Sequence, residues 1–215
     1  MPLQHVKYLG PSSILGIWHL TEEESYFLQS INSLVSDRTN LESIHHSNRR
    51  KEWLAGRYLV MELAKIISLR FEGIWTDKYN KPHLVLDNAS ISLSHASPYV
   101  VAILDTEHLC GIDIERLRDK LLPLSPKFLN APELEMANSN IEKLAVLWGA
   151  KEALYKLHGR KSLIFKDNLF IKEFKFENGL GKFKGVINIQ DEHEEYRMFA
   201  GRFGDFVLVY TNGEI

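Results

Sequence analysis

Residues 141–159 of the chain read IEKLAVLWGAKEALYKLHG, and this stretch decides the fold class. The pattern is typical of a helix over Ile141–His158. Gly159 follows at the position where a glycine commonly ends a helix, because glycine adopts the left-handed backbone conformation at little cost. We therefore expect one long helix here, with strands on either side of it in the sequence.

The chain after this helix has the pattern of strands. Asn178-Gly179 is a turn signal within this region, because both residues tolerate a positive φ. A long helix followed by paired strands is an α+β arrangement. The predicted strands are Phe170–Glu177, Leu180–Ile189, Tyr196–Phe203 and Phe206–Thr211.

The chain before this helix predicts a second α+β region. Ile14–His19 has the pattern of a short strand, and Thr21-Glu22-Glu23-Glu24 has the form of a capping box with Thr21 as the N-cap, which predicts a helix to about Leu34. Apolar residues at helical spacing predict a long helix over Leu41–Ser68, with an interruption near His45–Asn48.

The middle of the chain predicts short strands and a loop. We expect strands at His83–Leu86 and Ser90–Ser94, and a hairpin over Tyr99–Glu115 whose loop is Asp105–His108. Two prolines, Pro123 and Pro126, predict a loop, and short helical turns are expected over Pro126–Asn138.

The two regions echo one another weakly. Helix segment Trp53–Arg57 and hairpin Tyr99–Glu115 have counterparts in Leu147–Lys151 and Tyr196–Thr211 at a nearly constant offset. Two similar halves of about 105–110 residues would explain the echo, and chance is the alternative. We expect an N-terminal half over residues 1–108 and a C-terminal half over residues 109–215.

The composition indicates a globular chain without a bulk attraction for polyanions. It has 215 residues, 45% of them hydrophobic, and a formal net charge of −2. This charge gives no overall attraction to nucleic acid or to a membrane surface. Cys110 is the single cysteine, so no intrachain disulfide and no cysteine zinc site can form. We expect a cytoplasmic location, because the sequence shows no secretory signal and no apolar run of membrane length.

Two carboxylates stand two residues apart in Gly111-Ile112-Asp113-Ile114-Glu115. Side chains two apart on a strand lie on the same face, so Asp113 and Glu115 are expected side by side. Paired oxygen ligands of this kind suit Mg²⁺, which takes few protein carboxylates and keeps positions for water and phosphate. The alternative is an amphipathic edge strand with a solvated acidic face.

Further candidate residues follow the same logic. Glu152 and Lys156 are four apart on the predicted helix and share a face, so they offer a third carboxylate and a cation; an ordinary surface ion pair is the alternative. Ser94-His95 ends a predicted strand, and its histidine could donate to a phosphate. The remaining basic candidates are Arg50, Arg57 and Lys81, for which a solvated helix face is the alternative.

In this order and at these intervals, the segments resemble the 4′-phosphopantetheinyl transferases. The resemblance covers about Arg50–Gly159. The length of the chain is similar to that of the pseudo-dimeric, surfactin-synthetase-activating type of this family. It implies an α+β fold of two similar halves in one chain, each with a small antiparallel sheet packed on a long helix, and an active site at their interface. The matching motifs are Lys81-Pro82, Ser92-Leu93-Ser94-His95, Gly111–Glu115, Lys127-Phe128-Leu129 with Glu133, Trp148-x-x-Lys151-Glu152-Ala153-Leu154-Tyr155-Lys156, and Gly159.

The resemblance implies a reaction and a role for each matching residue. Enzymes of this kind transfer the phosphopantetheine arm of coenzyme A to a serine of an apo acyl or peptidyl carrier protein, and release adenosine 3′,5′-bisphosphate. The metal, Mg²⁺ with Mn²⁺ as the alternative, would be held by Asp113, Glu115 and Glu152. Glu152 would also act as the base, directly or through water, and Lys156 would contact a pyrophosphate oxygen. The implied contacts to coenzyme A phosphates are His95 with Ser94, and those to its 3′-phosphate or adenine are Arg50, Arg57 and Lys81.

Two other functions are compatible with the residues. One is a catalytically silent relative that binds coenzyme A or a carrier protein, and the other is a generic α+β module whose motifs are accidental. Because both halves are expected in one chain, we predict a monomer that binds neither nucleic acid nor membrane. The sequence leaves open whether the carrier belongs to fatty-acid, polyketide, peptide or amino-acid-reductase synthesis.

Overall fold

A computed structural model describes residues 3–31, 38–159, 163–190 and 192–213 of the chain. The chain divides into two compact units, Met1–Leu109 and Cys110–Ile215. Both units combine helices with an antiparallel sheet, so the predicted α+β class is confirmed. No helix in the described part of the chain is long and apolar enough to cross a membrane.

The elements of the first unit are β1 Leu3–Tyr8, β2 Ser13–His19, α1 Glu24–Ile31, α2 Arg38–Ser43, α3 Ser47–Ile66, β3 Ile74–Thr76, β4 Pro82–Leu84, β5 Ser90–Ala96 and β6 Tyr99–Asp105. The unit is built on a four-stranded sheet in the order β1-β2-β6-β5, and a separate pair of strands, β3 and β4, forms a small hairpin.

Helix α3 forms the core of this unit with the sheet. Its side chains Leu54, Leu59 and Leu63 are fully buried. A Cβ atom built on Gly16 of β2 would lie only 2.9 Å from the Leu59 side chain, so the helix reaches the sheet where β2 has no side chain. The interruption predicted near His45–Asn48 is confirmed, since α2 ends at Ser43 and α3 begins at Ser47.

The elements of the second unit are β7 Gly111–Arg116, α4 Leu121–Phe128, α5 Ala131–Ala137, α6 Ile141–His158, α7 Phe165–Asn168, β8 Leu169–Ile171, β9 Leu180–Ile189, β10 Glu192–Phe203 and β11 Phe206–Thr211. The unit is built on a five-stranded antiparallel sheet in the order β7-β11-β10-β9-β8.

Helix α6 is the long helix predicted from residues 141–159, with the same bounds. The side chain of Asn140 accepts a hydrogen bond from the backbone of Lys143 at its start, and Gly159 ends it in the left-handed conformation with φ of 98°. The helix packs closely on β7. A Cβ atom on Gly111 would lie 2.0 Å from the carbonyl oxygen of Ala153, so only glycine allows the two backbones to approach here.

Within each unit, the strands before and after the long helix follow the same order and pair in the same way. The strand that precedes the long helix, β2 or β7, pairs with the last strand of the unit, β6 or β11. That last strand is in turn the second arm of a hairpin, with β5 or β10 as its first arm. The internal echo in the sequence therefore has a topological counterpart in the order of helices and strands.

The predicted hairpin over Tyr99–Glu115 is wrong. Strand β6 pairs with β2 and β5, whereas β7 pairs with β11 in the other sheet. The intervening turn is stabilised by the Asp105 carboxylate, which accepts hydrogen bonds from the backbone N–H groups of Glu107 and His108. A short turn between two strands fits a hairpin and a passage between sheets equally well, and the sequence pattern does not separate them.

The predicted capping box at Thr21 is also wrong, because α1 begins at Glu24. The Glu22 carboxylate instead accepts hydrogen bonds from the Thr21 backbone and from the Trp18 indole, which hold this segment as a turn. The predicted helix end at Leu34 lies outside the described residues.

Three further differences concern strands and a loop. Pro123 and Pro126 lie within helix α4 and not in a loop. The strand predicted over Phe170–Glu177 is limited to β8, which ends at Ile171, and an isolated bridge at Glu177. Strand β1, at the edge of the first sheet, has no counterpart in the sequence predictions.

Candidate functional site

The two carboxylates of β7 lie on the strand face that packs against α6. Asp113 is nearly buried, and its Oδ2 atom would lie 3.6 Å from a Cβ atom on Gly149 of the helix. Because side chains alternate along a strand, Glu115 lies on the same face, two residues nearer the strand end. The absence of a side chain at Gly149 leaves room mainly for Val209 of β11, whose Cγ2 atom would lie 2.9 Å from that Cβ atom, while Asp113 would be at ordinary contact distance.

Lys156 binds Asp113 directly. Its Nζ atom donates to Asp113 Oδ1 at 2.7 Å and to the carbonyl oxygen of Ile112 at 3.0 Å. The two side chains are only 11% and 8% exposed, so this pair is shielded from solvent more than an ordinary surface pair. The sequence placed Lys156 near the acidic strand only through the resemblance, and its contact with Asp113 is a finding of the structure.

Glu115 has its own basic partner, Arg118. The Arg118 guanidinium donates to Glu115 Oε1 at 2.7 Å, and the backbone N–H of Arg116 donates to the same oxygen. Arg118 is more than half exposed, whereas Glu115 is largely covered. The sequence analysis did not select Arg118. Its signal is a basic residue three positions after the second carboxylate, which places it in the turn that follows β7.

Glu152 lies on the α6 face that is shared by Gly149 and Lys156, since residues three and four apart are neighbours on a helix. Lys156 binds Asp113, and a Cβ atom on Gly149 would lie 3.6 Å from Asp113 Oδ2, so Glu152 belongs to the helix surface that faces the acidic strand. It is half-buried. The structure thus places the three predicted carboxylates on two packed elements of one unit.

The donor atoms of these three residues fit a hard divalent cation, which prefers carboxylate oxygens. Within residues 3–31, 38–159, 163–190 and 192–213, however, no three His, Cys, Asp or Glu side chains are arranged as a metal-binding group. Instead, the carboxylates of Asp113 and Glu115 are paired with Lys156 and Arg118. The carboxylate oxygens fit a divalent cation, and a bound cation would have to displace Lys156 and Arg118 from them.

A buried ion pair on another face of α6 supports this arrangement. Lys151 donates to Glu133 Oε2 at 2.6 Å and to the carbonyl oxygen of Phe165 at 2.9 Å. Glu133 also accepts from the backbone N–H groups of Asn130 and Ile171, so its carboxylate is fully engaged. Burial lowers the pKa of Lys151, and the hydrogen bond that Lys151 donates to Glu133 opposes that change. The pair connects α5, α6, α7 and β8.

Ser94 and His95 lie near the end of β5, in the first unit. Ser94 is nearly buried, while the His95 ring is about half exposed. The Nε2 atom of His95 lies 3.2 Å from a carboxylate oxygen of Glu52 on α3. The contact with this carboxylate orients the ring.

The two predicted arginines both lie on α3 but contact different groups. The Arg50 guanidinium pairs with Glu24 of α1 at 2.6 Å and donates to the carbonyl oxygen of Leu41 at 2.7 Å. The hydrogen bonds that Arg50 donates to Glu24 raise the pKa of Arg50. The Arg57 guanidinium carbon lies 3.2 Å from the ring centroid of Trp53, as in a cation–π contact. Arg50 therefore fastens α3 to α1 and α2.

Lys81 lies in the turn between β3 and β4, which Asp77 organises. Asp77 Oδ1 accepts from the backbone N–H groups of Tyr79 at 2.8 Å and Lys81 at 2.9 Å, and Asp77 Oδ2 lies 3.3 Å from the His83 ring. Burial would raise the pKa of Asp77, but the hydrogen bonds from Lys81, Tyr79 and His83 outweigh it and lower the pKa.

The predicted site residues thus fall into two sets, each described within its own unit. The first unit contains Arg50, Arg57, Lys81, Ser94 and His95. The second contains Asp113, Glu115, Glu152 and Lys156, with Arg118 as an addition. Beside Arg118, an open groove of about 660 Å³ extends past Asn140 at the start of α6 to Arg202 on β10.

Comparison with known proteins identifies the second unit. Residues 109–210 match the model of the 4′-phosphopantetheinyl transferase superfamily. Comparison with curated proteins finds no match. The family match supports a transferase of phosphopantetheine, a reaction for which the superfamily in general uses coenzyme A, a divalent metal and carrier proteins. Over residues 109–210, the chain is therefore similar to the 4′-phosphopantetheinyl transferase superfamily.

Proposed function

We propose that the protein transfers the 4′-phosphopantetheine arm of coenzyme A to a serine of an apo acyl or peptidyl carrier protein in a Mg²⁺-dependent reaction. The product besides the holo carrier is adenosine 3′,5′-bisphosphate. The observation that carries the proposal is the presence of Asp113, Glu115, Glu152 and Lys156 on two packed elements within the segment that matches the superfamily. Phosphoryl transfer depends mainly on positioned charges, and these residues supply both signs.

Asp113, Glu115 and Glu152 would hold the divalent cation. When bound, the cation would neutralise the phosphoanhydride oxygens as charge develops on the leaving group. Mn²⁺, which also accepts carboxylate ligands, is the alternative ion.

Glu152 is the proposed base for the carrier serine. The serine oxygen forms a bond to the β-phosphorus of coenzyme A, and the bond from that phosphorus to the bridging oxygen breaks. The serine proton passes to Glu152, directly or through a water, and the electron pair leaves with adenosine 3′,5′-bisphosphate. Lys156, which lies on the same face of α6 as Glu152, would contact an oxygen of the pyrophosphate and stabilise its charge.

The residues of the first unit are proposed to bind coenzyme A. His95, supported by Glu52, and Ser94 would contact phosphate oxygens, and Lys81 would contact the 3′-phosphate or adenine end. Arg50 already pairs with Glu24, and Arg57 lies against Trp53. We therefore assign the phosphate contacts of this unit first to His95 and Lys81, with Arg50 and Arg57 as supporting residues.

Intact-protein mass spectrometry tests the reaction. An apo acyl carrier protein and an apo peptidyl carrier protein are each incubated with the protein, coenzyme A and Mg²⁺, with a parallel incubation in EDTA. We expect a gain of one phosphopantetheine mass that disappears with EDTA. Metal-dependent binding of coenzyme A without a mass gain on either carrier would favour the catalytically silent alternative. The predicted monomer is checked separately by light scattering, and a stable trimer would contradict it.

A further inference from the structure

Both carboxylates of β7 are paired with basic side chains of the same unit, and the two pairs differ in environment. Asp113 binds Lys156 at 2.7 Å in a nearly buried contact, and Glu115 binds Arg118 at 2.7 Å with the arginine mostly exposed. Oxygens that a divalent cation would use are therefore already neutralised from within the protein.

A cation and these basic side chains compete for the same oxygens. An oxygen that accepts a hydrogen bond from an ammonium or guanidinium group has weaker attraction left for a metal, and a positive charge nearby also repels the metal. The ion pairs orient the carboxylates, and they do so at the expense of metal affinity.

We propose that Lys156 and Arg118 are internal counterions of Asp113 and Glu115, and that both leave these carboxylates when a divalent cation binds. The inference rests on the proposed function and extends it to Arg118, a residue that neither the sequence analysis nor the family match selects. Once displaced, both basic groups are available to the phosphate oxygens of the substrate.

The local charges favour this exchange in the presence of an anionic substrate. Asp113, Glu115 and Glu152 with Lys156 and Arg118 carry one more negative than positive charge. A divalent cation gives this cluster a net positive charge. The cluster then attracts the negatively charged phosphoanhydride, whereas without the cation its net negative charge would repel it. Arg118 can make this change without breaking the fold, because it is more than half exposed and borders the groove that extends to Arg202.

Removal of Lys156 and Arg118 should change the metal affinity in opposite directions under this proposal and under a role in which the two residues only orient the carboxylates. If the two residues compete with the metal, their removal tightens metal binding. If they merely hold the carboxylates in place for the metal, their removal weakens it. Direct metal titration of the full chain without coenzyme A or carrier separates these roles, since it does not depend on turnover.

The test measures Mn²⁺ affinity from the paramagnetic resonance signal of free Mn²⁺ at mildly alkaline pH. We expect Lys156→Met to bind Mn²⁺ about tenfold more tightly than the wild type, and Arg118→Gln about two- to fivefold more tightly because its pair is more exposed. Lys184→Met, which removes an exposed cation paired with Glu195 on the same sheet, is the matched control and should leave the affinity unchanged. Lys156→Gln, which can still donate to Asp113, replaces Lys156→Met if circular dichroism shows that the latter is unfolded.

Two further outcomes separate this inference from the proposed function. Asp113→Asn should abolish the site, and wild-type protein that binds Mn²⁺ no better than Asp113→Asn would overturn the metal site of the proposed function and this inference with it. Binding that depends on Asp113, with an affinity that is unchanged or weaker in the Lys156 variant and in Arg118→Gln, would overturn the inference alone.

Discussion

The ammonium group of Lys151 lies 2.6 Å from Glu133 Oε2, and both side chains are almost fully buried, with exposures of 0% and 3%. Glu133 accepts three hydrogen bonds from three different parts of the unit: Lys151, the backbone of Asn130 and the backbone of Ile171. The next residue on the helix is Glu152, the proposed base. The buried pair therefore fixes the helix from which the candidate site projects.

Lys151→Met is expected to destabilise the second unit by about 3–5 kcal/mol, because it leaves the Glu133 carboxylate buried without its counterion. Glu133→Gln should cost a similar amount, since it leaves the Lys151 charge unpaired. The double variant should be less destabilised than the sum of the two single changes, because each single change already breaks the same pair. Urea unfolding followed by circular dichroism measures these differences.

The exposed pair between Lys184 and Glu195 provides the control for this comparison. Lys184→Met should change the unfolding free energy by less than about 1 kcal/mol, because an exposed pair gains little over solvation by water. Equal effects of Lys151→Met and Lys184→Met would show that the buried pair does not hold α6 in place.

Gly111→Ala is expected to disrupt the packing of β7 on α6. The added Cβ atom would lie 2.0 Å from the Ala153 carbonyl oxygen, and this backbone contact cannot be relieved by rotating a side chain. We expect a loss of at least about 2 kcal/mol of unfolding free energy together with a large loss of transfer activity, since Asp113 follows two residues later.

Gly201→Ala on β10 is the matched control, because a Cβ atom there would meet no atom within 4 Å. This variant should be as stable and as active as the wild type. If Gly111→Ala behaved in the same way, the close approach of β7 to α6 would not be required.

Asp77 is expected to stabilise its turn only in the ionised form. The pKa of Asp77 is lowered in the folded protein. Its contribution is therefore complete above the ordinary carboxyl pKa, about 3.9, and is lost as the pH falls through the lowered value. Asp77→Asn keeps an acceptor oxygen but loses the charge. At neutral pH it should reduce the hydrogen-exchange protection of the Tyr79 and Lys81 amides about tenfold.

The difference between wild type and Asp77→Asn should shrink as the pH falls through the lowered pKa of Asp77, because the wild-type carboxyl then also loses its charge. Exchange protection at the two amides is compared at each pH, so that the intrinsic pH dependence of exchange cancels. A difference that stays constant or grows toward acid pH would contradict the role of the ionised carboxylate.

The sequence predicted most successfully where one local signal determines the structure. The α6 bounds follow from a helical pattern that ends at Gly159, and the turn at Asn178-Gly179 follows from residues that accept a positive φ. The hairpin over Tyr99–Glu115 failed because strand partners are chosen by tertiary packing, which a short turn does not specify.

The candidate site was predictable only where a local pattern determines the position of its residues. The alternation along β7 places Asp113 and Glu115 on one face, as period two requires. The partners of these carboxylates were not predictable, because Lys156 reaches Asp113 across 43 positions of sequence and only the packing of α6 on β7 brings them together. Arg118 lies close to Glu115 in the chain, but basic residues three positions from an acid are too common to select on sequence alone.

Two glutamates on α6 allow the central claim to be tested most directly. Glu152 is the proposed base and metal ligand, whereas Glu142, in the first turn of the same helix, pairs with Arg202. Glu152→Gln and Glu142→Gln are compared with the wild type by intact mass spectrometry of an apo carrier incubated with coenzyme A and Mg²⁺. The account predicts that Glu152→Gln lowers the rate of phosphopantetheine transfer at least about a hundredfold while remaining folded, and that Glu142→Gln transfers at the wild-type rate. Transfer by Glu152→Gln at the wild-type rate would contradict the account.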